Sequence, residues 1–534
     1  MNDSIAIKRR LDTDPEYRRL LFPRAYLFTD RKLDGLDQYP FYGQWQSYSV
    51  GVYQLLVHAP ARAYGCQLGD TSLALMGHAY NPFTGQSEEA EIVRNLAQAY
   101  CSGEHAFYDK LDELTGVYVV FVVRGNEIVA VQDCGGQKML YFGSVNGNVV
   151  ISSTPQLVAD VFGLARDPAV EELLRGKGYY RGSGFLPGNL SPYRELKRLG
   201  SNTLIRYRDG QYQIERFFPR EELDPLKTEA EKADALRQMH ELMSANIALT
   251  LKKWPRAALS LTGGMDSKTA LACSAAYYPQ LHIYSFISKN SERLDADAAA
   301  QICQNLGLEH HLYQIPEDPG QIADYDFLQE LIEHNTSRIC KIHPNEKRKY
   351  IWLERLDDFD VEIKSDISEI GRAYTTRKYM NVKVPRKLAP RHLTIGQGRY
   401  FPEWKMMRFA DRAYESFMQE TGLVGDVHGY SMHDLSYWEV RMSSWAATSF
   451  ASQEYFHEIT IPYNNRNLMK LFLRFPEGER MQDIPHRRLL RVGNPKLADL
   501  DIRIKDSYFG RNRMLIETIY YYYATRLNTY RSKL

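Results

Sequence analysis

An excess of charge of one sign is the first thing this 534-residue chain lacks. Its 67 Lys and Arg balance 66 Asp and Glu to a formal +1, so no global field draws it onto nucleic acid or an acidic membrane, and any basic site has to be local. Long apolar runs are missing as well. No stretch approaches the roughly 20 consecutive apolar residues of a membrane span, so neither a membrane nor a nucleic-acid partner is expected. Cysteine is sparse: Cys66, Cys101, Cys134, Cys273, Cys303 and Cys340 form no C-x-x-C pair. With an opening, MNDSIAIKRRLDTD, that carries no apolar signal region, this predicts a cytoplasmic protein with reduced thiols. Internal repeats and low-complexity segments are absent. What is there is ordinary globular composition, 44% hydrophobic and 25% charged, in a length that suits roughly two to four domains.

From about 45 to 160, short apolar runs follow period 2: GVYQLLVHA, SLALMGHAYN, GVYVVFVV, EIVAVQD and NVVISS, with Gly, Asn and Asp between them. They predict paired strands, interrupted by one helical segment, EEAEIVRNLAQAYCSG. NTLIRYRDGQYQIERFF reads as a hairpin whose Asp209-Gly210 turn favours positive φ. A charged linker then enters an amphipathic helix from about 228 to 251, which places a domain boundary near 222, with a front domain over 1–222 and a second over 223–534. Beyond it, AALSL, a helix over 267–277, LHIYSFIS, a helix over 295–306 and HHLYQIP alternate. That order implies a parallel sheet with right-handed crossovers. Residues 400–534 read as mainly helical.

SLTGGMDSKTALA, residues 260 to 272, sits between a buried-strand run and a helix. Glycines let backbone N–H groups approach an anion, and the helix N-terminus favours negative charge there. Thr262 to Ser267 is therefore an anion cradle, but it lacks the lysine of a G-x-x-x-x-G-K-[ST] loop. An aspartate beside bound phosphate is repelled unless a divalent ion lies between them, which assigns Asp266 to Mg²⁺. Thr262 and Ser267 supply hydroxyl donors. A second strand-to-turn stretch, VEIKSDISEIGRAY, carries Asp366 and Glu369. A local basic run follows, with Arg372, Arg377, Lys378, Lys383, Arg386, Lys387, Arg391 and Arg399. It reads either as a solvated loop or as a site for pyrophosphate or an anionic substrate.

LTGGMDS resembles the Ser-Gly-Gly-x-Asp-Ser signature of the PP-loop ATP pyrophosphatases, with Thr262 in the serine's place. Flanking pieces are similar to asparagine synthetase and its relatives, β-lactam synthetase and lasso-peptide cyclase. YSFIS looks like that family's adenine-side strand, ITIPYNNRNLMKLFLRFP like its V-P-F-L-D helix start with Asn465 at the aspartate, and DIRIKDSYFG like its W-R-x-K-x-x-F stretch. The resemblance implies an adenine-nucleotide α-hydrolase-like parallel-sheet domain with a helical C-terminal part. Its cofactors are ATP and Mg²⁺. Ser260, Thr262, Gly263, Gly264, Asp266, Ser267, Phe286 and Arg372 then fall on the nucleotide, and Lys505 on the catalytic lysine. The family's Gly-x-Gly-x-Asp-Glu loop is altered here: Glu369 takes the glutamate but Ser368 the metal-side aspartate. Asp366 or Glu369 is left as the second ion contact beside Asp266.

LTGVYVVFVV, AVQDCGGQKMLYFGS and VVISSTPQLV look like segments of the family's glutaminase, an Ntn-hydrolase-like antiparallel β-sandwich whose nucleophile is a Cys after the initiator Met. Here residue 2 is Asn. Cys134 in the DCGGQK turn lacks an N-terminal amine as base and reads as structural. The implied reaction adenylates a carboxylate of a small molecule, sugar acid or peptide, and an amine or ammonia then attacks; a homodimer is compatible with it. The rival readings are a PP-loop RNA-modifying enzyme, for which no reactive cysteine pair or basic appendage is evident, and a decayed nucleotide-binding protein.

Overall fold

The computed structural model describes residues 2–181, 184–339, 344–379, 387–398, 403–455, 457–500, 502, 515–516, 518–519 and 521–523. The front half contributes strands β1 (Tyr26–Thr29), β2 (Trp45–Val50), β3 (Tyr53–His58), β4 (Ala63–Leu68), β5 (Thr71–Tyr80), β6 (Thr115–Arg124), β7 (Glu127–Gln132), β8 (Tyr141–Val145), β9 (Asn148–Ser152), β10 (Leu196–Arg198), β11 (Thr203–Arg208) and β12 (Gln211–Arg216). Among the described residues they form two six-stranded sheets, β10-β8-β9-β1-β3-β2 and β12-β11-β7-β6-β5-β4. Every pairing in them is antiparallel.

The sheets pack face to face, as expected of an antiparallel β-sandwich. Tyr26, Phe28, Leu55 and Val57 of one meet Ala74, Met76, Val119 and Phe121 of the other, and the Phe28 and Phe121 rings stack at 4.7 Å. Period 2 holds along β6, but both of its faces are apolar. Val119 and Phe121 enter the inter-sheet core, while Tyr118, Val120 and Val122 turn outward onto Ile92, Leu96 and Phe107 of the helices Glu89–Ser102 and Glu104–Glu113. The alternation separates two cores and not core from water. At the predicted hairpin, Asp209 and Gly210 take φ of +51° and +81°, the mirror-type turn whose twist suits the flanking strands.

A capping box between Thr228 and Glu231 starts the helix Glu229–Lys253. After it come β13 (Ala257–Ser260), β14 (Leu281–Ile287), β15 (His311–Gln314), β16 (Val361–Ile363) and β17 (Glu458–Thr460), a parallel sheet in the order β15-β14-β13-β16-β17. The helix expected over 267–277 spans Met265–Cys273, and the chain then tightens into a 3₁₀ turn, Ala275–Gln280, that contains Pro279. The helix expected over 295–306 spans Arg293–Leu306. The last third is mainly helical, as expected, yet it also supplies β17.

Candidate nucleotide site

From β13 the chain crosses to β14 on one side, whereas β16 lies on the other. This reversal opens a crevice beyond the carboxyl ends of β13 and β16, the place where open α/β sheets bind ligands. A cavity of about 340 Å³ lies there, lined from one side by Ser260 to Ser267 and from the other by Lys364 to Glu369.

The first loop is tied to itself. Thr262 Oγ1 and Ser267 Oγ lie 2.9 Å apart, Gly264 N–H donates to Thr262 Oγ1 at 3.1 Å, and Ser267 Oγ accepts from Thr262 N–H at 3.2 Å. Gly263 N–H donates to the Asp295 carboxylate at 3.2 Å, so a carboxylate already sits on the cradle. Burial, first, raises the pKa of Asp295 above the usual range. Behind the loop, Tyr463 donates to the carbonyl of Asp266 at 3.2 Å.

Opposite, the second loop departs from regular backbone. Ile367 is fully buried yet takes φ +76°, and Ala373 takes φ +46°. A β-branched side chain in the left-handed region is strained and persists only where its surroundings hold it. Here Gly135 of the front half provides the room: a Cβ at that position would stand 2.5 Å from Ile367 Cδ1. The same glycine donates its N–H to Asn464 Oδ1 at 2.6 Å.

Three carboxylates converge between the loops. Burial and then Asp266 and Asp366 push Glu369 up to about 8. Asp366 is also raised, by burial above all, against the opposing pull of Lys364. Glu369 Oε2 is buried without a hydrogen-bond partner. Asp266 accepts from Ser368 Oγ, and Arg372 Nη1 reaches its other oxygen at 2.5 Å. Arg372 also grips Asp483, at 2.8 Å and 3.2 Å, and Arg377 joins it there at 2.5 Å. His486 stacks on Phe472, with Nε2 4.0 Å from Asp266. Burial pushes its pKa down to about 4, and neither ring nitrogen has a hydrogen-bond partner.

Among the described residues no group of three or more His, Cys, Asp or Glu side chains is set to hold a metal ion as it stands. The donor set still suits a hard cation: oxygen ligands, mutual repulsion and one orphaned carboxylate oxygen. At the far end of the cavity, the ammonium of Lys349 lies 4.0 Å from the Phe286 ring centroid and 2.5 Å from Glu346.

The fold thus brings Ser260, Thr262, Gly264, Asp266, Ser267, Phe286, Asp366 and Glu369 to the lining of one crevice, whereas Gly263 turns its N–H to Asp295. Arg372 meets the loop through Asp266. Lys505 lies outside the described residues, as do Lys383, Arg386 and Arg399 of the basic run. Of that run, Arg372 and Arg377 are paired with Asp483 and Arg391 with Asp411. Sequence reasoning missed Asp295, Lys349, Lys364, Asp483 and His486. Only Lys364 gave a local signal, a charge just past a strand end.

Residues 238–339, which include the first loop, match the asparagine synthase family model. That segment is similar to the asparagine synthase family. Among the curated proteins none matches the chain. Two similar solved structures are the glutamine phosphoribosylpyrophosphate (PRPP) amidotransferase from B. subtilis complexed with ADP and GMP, and a structure described as the allosteric regulatory enzyme of purine biosynthesis. Each is 10% identical with a TM-score of 0.24; they cover 59% and 61% of this chain and 88% and 90% of their own.

Cys134 is fully buried, burial raises its thiol pKa well above the ordinary value, and its carbonyl accepts from Trp438 Nε1 at 2.8 Å. Asn465 caps the helix Arg466–Leu473 by accepting from Leu468 N–H at 2.9 Å.

Proposed function

We propose that the protein is an ATP-dependent, AMP- and pyrophosphate-forming ligase that adenylates a carboxylate and passes the acyl group to an amine or ammonia. The observation that carries this reading is the pair of facing loops at the sheet's switch point. A glycine turn on a helix N-terminus stands opposite crowded carboxylates. In this reading Gly263 and Gly264 N–H and the Thr262 and Ser267 hydroxyls hold the outgoing pyrophosphate, and Ser260 and Phe286 lie toward the nucleoside. Mg²⁺ held by Asp266, with Asp366 and Glu369 near it, would neutralise phosphate charge. The Nη1 of Arg372, released from Asp266, would turn to the phosphates while Asp483 keeps hold of the rest of the guanidinium. Lys505 would stabilise the oxyanion formed when nitrogen attacks the acyl-adenylate.

The buried state of Cys134 supports a front domain, 1–222, without glutaminase activity. The nitrogen then comes from free ammonia or from an amine substrate. The carboxylate belongs to a small molecule, a sugar acid or a peptide, and the setting is cytoplasmic. Incubation with ATP, Mg²⁺ and a panel of carboxylates tests the reading, which requires carboxylate-dependent pyrophosphate release and ATP–pyrophosphate exchange. The ion pair of Arg372 on Asp266 favours one second reading, a nucleotide-binding protein without turnover. ATP binding with no exchange for any carboxylate would select it.

A further inference from the structure

The described lining of the crevice holds two cationic side chains, Lys349 and Lys364. Lys349 is committed to the Phe286 ring and Glu346. Lys364 is placed differently. It directly follows β16, whose register sets Ile363 beside Leu259 of β13, so it stands level with Ser260 at the mouth of the first loop. Its N–H donates to the Thr460 carbonyl at 2.9 Å, which fixes its backbone. Its ammonium lies 2.7 Å from Glu362, a fully buried carboxylate that also meets His457 Nε2 at 2.8 Å. The ion pair anchors the side chain from behind. An ammonium carries three donors, and the Glu362 contact leaves donors for the cavity that Lys364 lines.

We propose that Lys364 is a triphosphate-binding residue of this crevice, reaching the phosphate chain from the β16 side while the glycine turn holds it from the β13 side. The inference rests on the nucleotide reading above. It also accounts for a departure seen in the sequence: the first loop has no P-loop lysine, and a compact point charge for phosphate is supplied from the neighbouring strand.

The test is calorimetric titration of the full chain with Mg·ATP, pyrophosphate and AMP. Lys364→Met should weaken Mg·ATP and pyrophosphate by about tenfold or more, leave AMP within about twofold, and be largely rescued by Lys364→Arg. Lys364→Met strands Glu362 as a buried charge, so Glu362→Gln/Lys364→Met is measured beside it and should show the same ligand pattern. Unchanged pyrophosphate and ATP affinity in a folded variant overturns the role of Lys364 alone. Equal losses for AMP and pyrophosphate also overturn it, as general damage. A wild-type chain that binds none of the three ligands overturns the nucleotide reading and this inference together.

Discussion

Glu369 holds a proton at a pH where an ordinary glutamate has lost it, because burial and two neighbouring carboxylates oppose its charge. Its folded-state value of about 8 stands above the 4.5 of the free side chain. Between those values the folded chain binds the extra proton, so stability is greatest at the low end and falls as pH rises through the window. In metal-free buffer, Glu369→Gln should gain on the wild type in Tm between pH 5 and pH 8, and Mg·ATP should stabilise the wild type more at pH 8 than at pH 6. Parallel melting profiles for the two chains would refute this account of the site. For Lys505, removal of a cation beside a developing oxyanion should lower kcat by roughly 10²-fold or more. Lys505→Ala with near-normal amide formation would remove it from the reaction. At this scale the turn itself is legible in the sequence where its residues are contiguous, as in Thr262 to Ser267. Legibility fails where partners meet from afar: Asp295 lies 32 positions from Gly263, and Asp483 111 from Arg372.

Elements tell a parallel story. The Asp209-Gly210 hairpin and the strand–turn–helix at 257–273 were legible because turn residues and periodicity agree. β17 was not, since three residues, Glu458–Thr460, are too few to show a period, and only pairing with β16 makes them a strand. The second acidic loop is legible by its position, but its conformation is hidden: Ile367 gives no hint of a positive φ, and the turn 133–138 of the front half is what holds it. Gly135→Ala should therefore cost about 1–3 kcal/mol through overpacking and also weaken Mg·ATP binding, by moving the residue between Asp366 and Ser368. Ile367→Ala in the same chain should return part of the stability, a coupling that a double-mutant cycle measures. Additive effects would mean that the glycine and the loop are independent.

For the whole molecule, one apolar cluster runs through both halves, from Leu73, Val120 and Phe217 to Ala257, Ile363 and Leu468. Arg466 crosses the same boundary. It is almost fully buried, its guanidinium lies over Phe217 at 4.6 Å, and it donates to Asn202 at 3.3 Å and to the carbonyls of Gln132 and Asp133 at 3.4 and 3.3 Å. Arg216 and Glu439 add an ion pair at 2.6 Å, with Glu439 fully buried. A shared core of this kind predicts a single melting transition by calorimetry and near-UV circular dichroism. It also predicts that 223–534 expressed alone is loosely packed and binds a hydrophobic dye. Two separated transitions, or a rigid excised fragment, would contradict it.

The carboxylate of Asp295 on the Gly263 N–H has a consequence for selectivity. The Gly263 N–H is already taken, so on the proposed nucleotide reading an incoming anion meets a resident competitor of its own sign and has to evict it before seating. A lone inorganic phosphate, gripped at one end, gains little from that exchange, whereas a polyphosphate held along its length recovers far more. On the proposed nucleotide reading, the resident acid would set a threshold that disfavours small single anions against the longer chain.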